Sequence, residues 1–511
     1  MSQIDVNDLT FYYEGSPDNI FEHASFSIDT DWKLGLIGRN GKGKTTFLHL
    51  LQGKYEYSGC IQTRMTFDYF PYQVGDKEIE QCGAELAEVW KPDRESWRIL
   101  CELNQLNVDA EVLYRPFKTL SNGERTKVML AVLFSKEHDF LLIDEPTNHL
   151  DLASREAVKA YLAGKKGFIL VSHDRDLLDA CVDHVLILNR QSIEVQNGNF
   201  SSWWENKRRK DVCARRENEK HIKEIGKLKK AAARSRQWAD RSEGSKIGYD
   251  PIKEPDHKGK RPYIGMKTKK MQSRVRQMEQ RIGREIEEKE GLLQDIEEIA
   301  ELKLMPLTHH KDCLIRADGY GLKYSGAPAA VFHGLGFSVH QGERVFLNGR
   351  NGCGKSSLIK AILACSSDCR EQALRKQSLE ETGVLETVSG LVISYVNQDT
   401  SFLRGSIKEF CQGRNLDESL FCAILRQLDM ERGQFAKPVE DYSEGQKKKV
   451  LLAASLLTPA HLYIWDEPLN YIDVFSRMQI EKLLLSGRPS MLVVEHDVRF
   501  RETVATKVVK L

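Results

Sequence analysis

GRNGKGKTT, Gly38 to Thr46, follows the apolar run Leu34–Ile37 and opens a helical pattern. That is a glycine-x4-glycine-lysine-threonine loop in the strand-to-helix setting such a loop needs. Its glycines let backbone N–H groups close around phosphates, and the helix N-terminus adds a favourable field. The stretch returns as GRNGCGKSS at Gly349 to Ser357, an offset of 311. FLLIDEP (Phe140 to Pro146) returns as LYIWDEP (Leu462 to Pro468), offset 322, and LVSHD (Leu170 to Asp174) as VVEHD (Val493 to Asp497), offset 323. The same order at nearly constant offset is a duplication. It predicts two homologous domains at 1–204 and 306–511, with residues 205–305 as a linker.

Short apolar runs, Leu34–Ile37, Leu141–Ile143 and Phe168–Val171, alternate with longer helical patterns. This predicts α/β domains with a mostly parallel, buried sheet. Hydrophobic residues at 41% and charged ones at 29% allow packed cores and exclude wholesale disorder. The longest uncharged apolar stretch, Val450 to Trp465, has 16 residues with Pro459 and His461 inside it. That falls short of the roughly 20 needed to span a bilayer and reads as a buried helix running into a strand. MSQIDVNDL at the N-terminus has neither the basic start nor the apolar core of a signal peptide. Eleven scattered cysteines without a Cys-x-x-Cys pair read as free thiols, so a cytoplasmic location is expected.

The net charge of +1 conceals an asymmetry. Between Lys207 and Arg284 stand 26 basic and 10 acidic residues, net +16, leaving −15 for the remainder. Residues 207–243 and 264–300 are rich in Lys, Arg, Glu, Gln and Ala, and Met271, Val275, Met278, Ile282 and Ile286 step by 4, 3, 4 and 4. Such a stripe belongs to a packed helix. Glycines and prolines from Gly244 to Gly265 separate the two patterns, so a long helical hairpin with a structured tip near 244–265 is expected.

Each half carries the residues of phosphoanhydride hydrolysis. Lys44 and Lys355 neutralise phosphates, and Thr45 and Ser356 are placed to hold Mg2+. Gly38, Asn40, Gly41, Gly43 and Thr46 complete the first loop; Gly349, Asn351, Gly352, Gly354 and Ser357 complete the second. Asp144 and Asp466 end apolar strands, where a carboxylate reaches the cation through its waters. Glu145 and Glu467 follow, placed to polarise an attacking water. His173 and His496 stand 29 and 30 residues past those aspartates, a matched spacing that favours a γ-phosphate contact over a structural histidine. LSNGER (Leu120 to Arg125) and YSEGQK (Tyr442 to Lys447) place Ser121 and Ser443 each 23 residues before the strand-end aspartate. Alone, either is a helix N-cap.

In this position the two segments resemble the signature motif of the ATP-binding cassette (ABC) family. The resemblance implies two cassettes paired head to tail, each ATP held between one phosphate loop and the other cassette's signature. It implies one site of Lys44, Asp144, Glu145, Gln73 and His173 with Ser443 and Gly445 opposite. The other has Lys355, Asp466, Glu467, Gln398 and His496 with Ser121 and Gly123 opposite. Gln73 and Gln398 join the Mg2+ sets by the same resemblance, and Tyr13 and Tyr324, each 25 residues before the first loop glycine, look like the adenine-stacking aromatic. Two departures stand out. Asn122 and Glu444 replace the usual signature glycine, and DEPTNHLD (Asp144 to Asp151) becomes DEPLNYID (Asp466 to Asp473). With both glutamates and both histidines present, two hydrolysis-competent sites of differing rate are expected.

Intact EPTNHLD with a charged helical linker between tandem cassettes resembles the ABC-F group of ribosome-binding ATPases. Only 48 residues separate Gln73 from Ser121, and 45 separate Gln398 from Ser443, leaving no room for an inserted arm. WKLGLIGRNGKGKTT (Trp32 to Thr46), IWDEPLNYID (Ile464 to Asp473) and the long linker resemble the Lsa-like antibiotic-resistance proteins. That resemblance implies a monomer off the ribosome that binds the bacterial 70S particle, contacts 23S rRNA and P-site tRNA, and enters the tRNA exit site. It also implies protection from lincosamides, pleuromutilins and streptogramin A. A housekeeping translation factor that rescues stalled ribosomes, or the soluble ATPase subunit of an exporter, are the alternatives. The positive linker suits a phosphate-lined channel. Its tip offers Trp238, Tyr249 and Tyr263 for base stacking, with Lys246, Lys253, Lys258, Lys260 and Arg261 for phosphates. Pinning the two helices together is the plainer role for Trp238.

Overall fold

The computed structural model describes residues 3–13, 19–92, 95–136, 139–148, 150–188, 193–244, 269, 273, 276–278, 280–284, 304, 306–326, 329–366, 379–428 and 430–511. The chain divides into two compact units, Met1–Trp203 with Ala300–Leu511, and Trp204–Ile299.

In the first unit the N-terminal half runs β1 (Gln3–Phe11), β2 (Phe21–Asp29), β3 (Lys33–Gly38), α1 (Lys44–Leu51), β4 (Ser58–Gln62), β5 (Thr66–Phe70), α2 (Gly83–Trp90) and α3 (Ser96–Gln105). It continues with α4 (Asn122–Leu133), β6 (Asp139–Asp144), α5 (Leu152–Ala163), β7 (Phe168–Val171), α6 (Arg175–Cys181), β8 (His184–Leu188) and β9 (Ile193–Asn197). The strands form a six-stranded sheet in the order β5-β6-β7-β3-β8-β9 and an antiparallel sheet β2-β1-β4. All but β9 of the larger sheet are parallel. Its inner strands carry fully buried runs, such as FILV in β7, because helices cover one face and the second sheet lies beyond α1 on the other.

Helix α1 is the pivot of this arrangement. Phe47, Leu48 and Leu50 join one core cluster with Ile4, Val6 and Leu9 of β1 and with Leu34, Phe140 and Ile169 of the parallel sheet. Burying each such side chain contributes about 1.5–3 kcal/mol. That packing fixes where the loop between β3 and α1 emerges.

α7 (Phe200–Gly244) leaves this half and extends into the second unit. The C-terminal half then repeats the plan with β10 (Cys313–Tyr324), β11 (Phe332–His340), β12 (Arg344–Asn348), α8 (Lys355–Cys365), β13 (Leu379–Thr387) and β14 (Ile393–Val396). There follow α9 (Ile407–Gly413), α10 (Glu418–Gln427), α11 (Glu444–Leu457), β15 (Leu462–Asp466), α12 (Val474–Gly487), β16 (Met491–Val494), α13 (Val498–Val504) and β17 (Lys507–Lys510). Here the parallel sheet has five strands, β14-β15-β16-β12-β17, and the antiparallel one is β11-β10-β13. The stretch Val450 to Trp465 is the end of α11 running into β15, buried through most of its length.

In the second unit α7 is a 45-residue helix, about 67 Å long at 1.5 Å per residue. Ala214, Ile225 and Ile282 are buried, but Met278 is exposed, so the apolar stripe read from spacing is not buried along its whole length. Met271, Val275, Ile286 and tip residues Lys246, Tyr249, Lys253, Lys258, Lys260, Arg261 and Tyr263 lie outside the described residues. Trp238 falls within α7. Among the described residues no helix is long and apolar enough to cross a membrane.

Candidate nucleotide sites

Both phosphate loops are built the same way. Gly41 and Gly43 have φ of 80° and 84°, and Gly352 and Gly354 of 81° and 98°. A side chain at Gly43 would also place its Cβ 2.5 Å from Ile20 Cγ2, so conformation and space both demand glycine there. Lys44, buried, turns Nζ into the loop's own oxygens: Gly38 O at 2.7 Å, Arg39 O at 3.2 Å and Asn40 Oδ1 at 3.3 Å. Lys355 does likewise with Gly349 O at 2.8 Å and Arg350 O at 3.0 Å. Burial pulls the Lys44 ammonium below its ordinary pKa, so an anion at the loop would restore what desolvation removes.

Thr45 Oγ1 donates to Asp144 Oδ2 at 2.8 Å, and Tyr69 Oη reaches the same oxygen at 3.1 Å. Ser356 bonds Asp466 in the second half. Burial raises both aspartates above the usual carboxylate range. Beyond them Glu145 and Glu467 adopt the left-handed region, φ 51° and 48°, uncommon for a non-glycine residue. Burial and then Asp144 push Glu145 up to about 8, a proton affinity suited to polarising water near neutral pH. Glu145 Oε1 stands 3.4 Å from His173 Nε2, and Glu467 Oε1 stands 3.9 Å from His496 Nε2. Burial, then the charge of Lys355, holds His496 down to about 3, and burial with Lys44 holds His173 well below its usual value. Both imidazoles are therefore neutral at pH 7.

The two halves meet across these loops. A cleft of about 520 Å3 is lined by Asn40, Gly41, Glu145 and His173 on one side and by Ser443 and Gly445 on the other. Asn40 Nδ2 donates to Tyr471 O at 2.9 Å. On the opposite side the Asn351 backbone N–H bonds the Asp151 carboxylate. Ser121 and Ser443 each cap a helix in a capping box: Glu124 N donates to Ser121 Oγ at 3.3 Å, and Gln446 N to Ser443 Oγ at 3.3 Å. Gly123 and Gly445 are close approaches, since a Cβ would fall 2.7 Å from Ser154 Oγ and 2.8 Å from Tyr471 O.

Tyr13 and Tyr324, partly exposed, rest their hydroxyls on the helix after each loop, Tyr13 on Thr46 Oγ1 at 2.9 Å and Tyr324 on Ser357 Oγ at 2.7 Å. Gln73 and Gln398 are both exposed, and Gln398 Nε2 donates to Glu467 Oε2 at 2.9 Å.

Several participants escaped sequence reasoning. Arg155 and Arg477 are placed alike in the two halves: Arg155 Nη1 lies 3.6 Å from Asp174 Oδ2, and Arg477 Nη1 lies 2.9 Å from Asp497 Oδ2. Each also acts electrostatically on the other half, Arg477 on Glu145 and Arg155 on His496. Glu495 is buried at the end of β16, and a charge closing an otherwise apolar strand run was its available signal.

Of the seven buried side-chain atoms without a hydrogen-bond partner among the described residues, three lie here: Glu145 Oε1, Asp466 Oδ1 and His496 Nε2. Unpaired buried polar atoms are costly. With the loop lysines and glycines, they fit a triphosphate and its cation. The fold and this geometry define a tandem-cassette nucleoside triphosphatase. The ABC transporter family model matches residues 21–148 and 332–470, and the chain belongs to this family of ATP-binding, ATP-hydrolysing domains, in its ABC-F branch.

Among its relatives is the ribosome protection protein VmlR of Bacillus subtilis, 26% identical over 96% of this chain and 83% of VmlR. The ATP-binding protein Uup of Buchnera aphidicola is 24% identical over 99% and 80%. YheS of Escherichia coli K12, an ATP-binding protein, is 25% identical over 94% and 74%. Among solved structures, the archaeal ribosome recycling factor aABCE1, in complex with stalk protein aP1, shares the fold at a TM-score of 0.59 and 18% identity. The match covers 98% of this chain and 87% of that one.

Proposed function

We propose that this ATPase works on the bacterial 70S ribosome, protecting it from antibiotics of the peptidyl-transferase centre: lincosamides, pleuromutilins and streptogramin A. The observation that carries the reading is the similarity to a ribosome protection protein over 96% of the chain, basic linker included. The linker's charge supports it, since net +16 over one segment matches an RNA-lined channel. In this reading the linker, residues 205–305, enters from the tRNA exit site, contacts 23S rRNA and P-site tRNA, and dislodges drug through its tip.

The ATP sites drive the cycle. Lys44 and Lys355 hold the phosphates, and Tyr13 and Tyr324 stack on adenine. Thr45 with Asp144 and Gln73, and Ser356 with Asp466 and Gln398, hold Mg2+, which neutralises charge on the phosphates. Ser443 and Gly445 close the first site, and Ser121 and Gly123 the second. Glu145 and Glu467 orient water, with His173 and His496 at the terminal phosphate. ATP closes the cassettes into the ribosome-binding state, and hydrolysis opens them for release.

The test is co-sedimentation of the Glu145→Gln, Glu467→Gln protein with 70S ribosomes. Tight pelleting with ATP and little without it is expected. Failure to pellet at moderate salt would overturn the ribosomal assignment while leaving the ATPase in place. The alternative reading is a translation ATPase that rescues stalled ribosomes without drug, and drug-protected translation assays separate the two.

A further inference from the structure

The two catalytic glutamates are held differently, and the difference traces to one residue. In the first half the His173 backbone N–H points at Glu145 Oε2, 3.4 Å away, and the preceding residue, Ser172, accepts from Asp174 N at 3.1 Å. In the second half the residue before the histidine is Glu495. Its Oε1 takes the His496 N–H at 2.8 Å, and its Oε2 takes the Leu469 N–H at 3.1 Å. It thus ties the histidine loop to the segment after Glu467. The place of Leu469 in the first half is Thr147. Glu467, relieved of the histidine amide, is held through Oε2 by Gln398 Nε2 at 2.9 Å and Asn470 Nδ2 at 2.8 Å, with His496 Nε2 3.9 Å from its other oxygen.

A carboxylate of this kind needs compensation, because it is only 5% exposed. Arg477 of its own half and Arg155 of the other favour its charged form. Arg477 favours the charge of Glu145. Glu495 therefore stands where the first half has a neutral serine, and it receives the arginine of the opposite cassette.

We propose that Glu495 is a positioning residue that makes the second ATP site the slower one, by diverting the His496 amide from Glu467 and leaving that glutamate clamped by two side-chain amides. Two amide donors on Glu467 Oε2 fix the orientation of that carboxylate, so it is less free to turn onto an attacking water. The histidine ring also stands farther from the glutamate, 3.9 Å against 3.4 Å in the first site. The inference rests on ATP hydrolysis alone and needs no ribosome, so its failure is distinguishable from failure of the proposed function.

The test isolates each site in the full-length free protein. In a Glu145→Gln background, turnover comes from the second site; in a Glu467→Gln background, from the first. Glu495→Ser should raise kcat in the first background by roughly threefold or more with KM changed less than about twofold, and leave the second background within about twofold. Glu495→Gln, which keeps the side chain's volume and one acceptor oxygen, should move kcat the same way by a smaller factor, and it decides the matter if the serine variant melts early. An unchanged or lower kcat in the Glu145→Gln background overturns the proposal. So does an equal change in both backgrounds, the mark of a general structural effect.

Discussion

Asn40 in the first phosphate loop donates its side-chain amide to the carbonyl oxygen of Tyr471, 2.9 Å away and 431 positions along the chain. Tyr471 holds φ at 63°, so its carbonyl is presented by a backbone conformation that most residues avoid. The same oxygen lies against Gly445, where any side chain would collide with it. One hydrogen bond thus couples the loop of one cassette to the signature segment of the other.

Asn40→Ala removes that bond. A hydrogen bond of this kind contributes about 0.5–1.5 kcal/mol, so ATP turnover should fall roughly two- to tenfold. Steady-state kinetics on the free protein is the check. Turnover equal to the parent protein would show that the contact plays no part in closure.

Arg175 and Glu481 form a buried ion pair between the halves, both guanidinium Nη atoms engaging the carboxylate. Each is less than a tenth exposed. Arg175→Ala would strand a buried carboxylate, and breaking such a pair costs about 3–5 kcal/mol. Differential scanning calorimetry should show a clear drop in melting temperature. Replacing both residues, Arg175→Met with Glu481→Leu, should recover most of it, because the desolvation of two charges disappears with them.

Asp473, fully buried, N-caps α12 through Ser476 N at 3.0 Å and faces Lys449 Nζ at 3.4 Å. Although burial alone would raise its pKa, Lys449 and the Ser476 bonds win and hold it down to about 2, from 3.8. A depressed carboxyl stabilises the fold above its unfolded pKa and loses that contribution as pH falls through the folded one. The stabilisation, about 2 kcal/mol, should therefore be present above pH 4 and fade towards pH 2. Denaturant titrations of the parent and of Asp473→Asn should converge over that window. A gap that stays constant down to pH 2 would assign the effect to packing.

Removing Gly248 to Pro262 tests the linker's part in the proposed function. The shortened protein should hydrolyse ATP at the parent rate and give no drug protection in a coupled translation assay. Equal protection from the shortened form rules out the tip as the effector.

Much of the site was legible because its motifs are local. The glycines of the loops answer to backbone φ, the strand-end aspartates to fully buried runs, and the signature serines to helix capping. All of these are settled within a few residues of chain. Duplication then doubled every signal, so the offset between copies exposed Glu145 with Glu467 and His173 with His496. Charge counting picked out the linker because 26 basic residues need no fold to be seen.

The tertiary structure decided what faces what. Nothing in the sequence joins Asn40 to Tyr471, or sets Arg155 against the histidine loop of the other half, because contacts across several hundred residues depend on how two cores pack. The same holds for Glu495. Its letter is plain in VVEHD, but its role follows from which amides burial leaves for it to accept. Local chemistry set the parts of each site; the packing of one cassette on the other set their wiring.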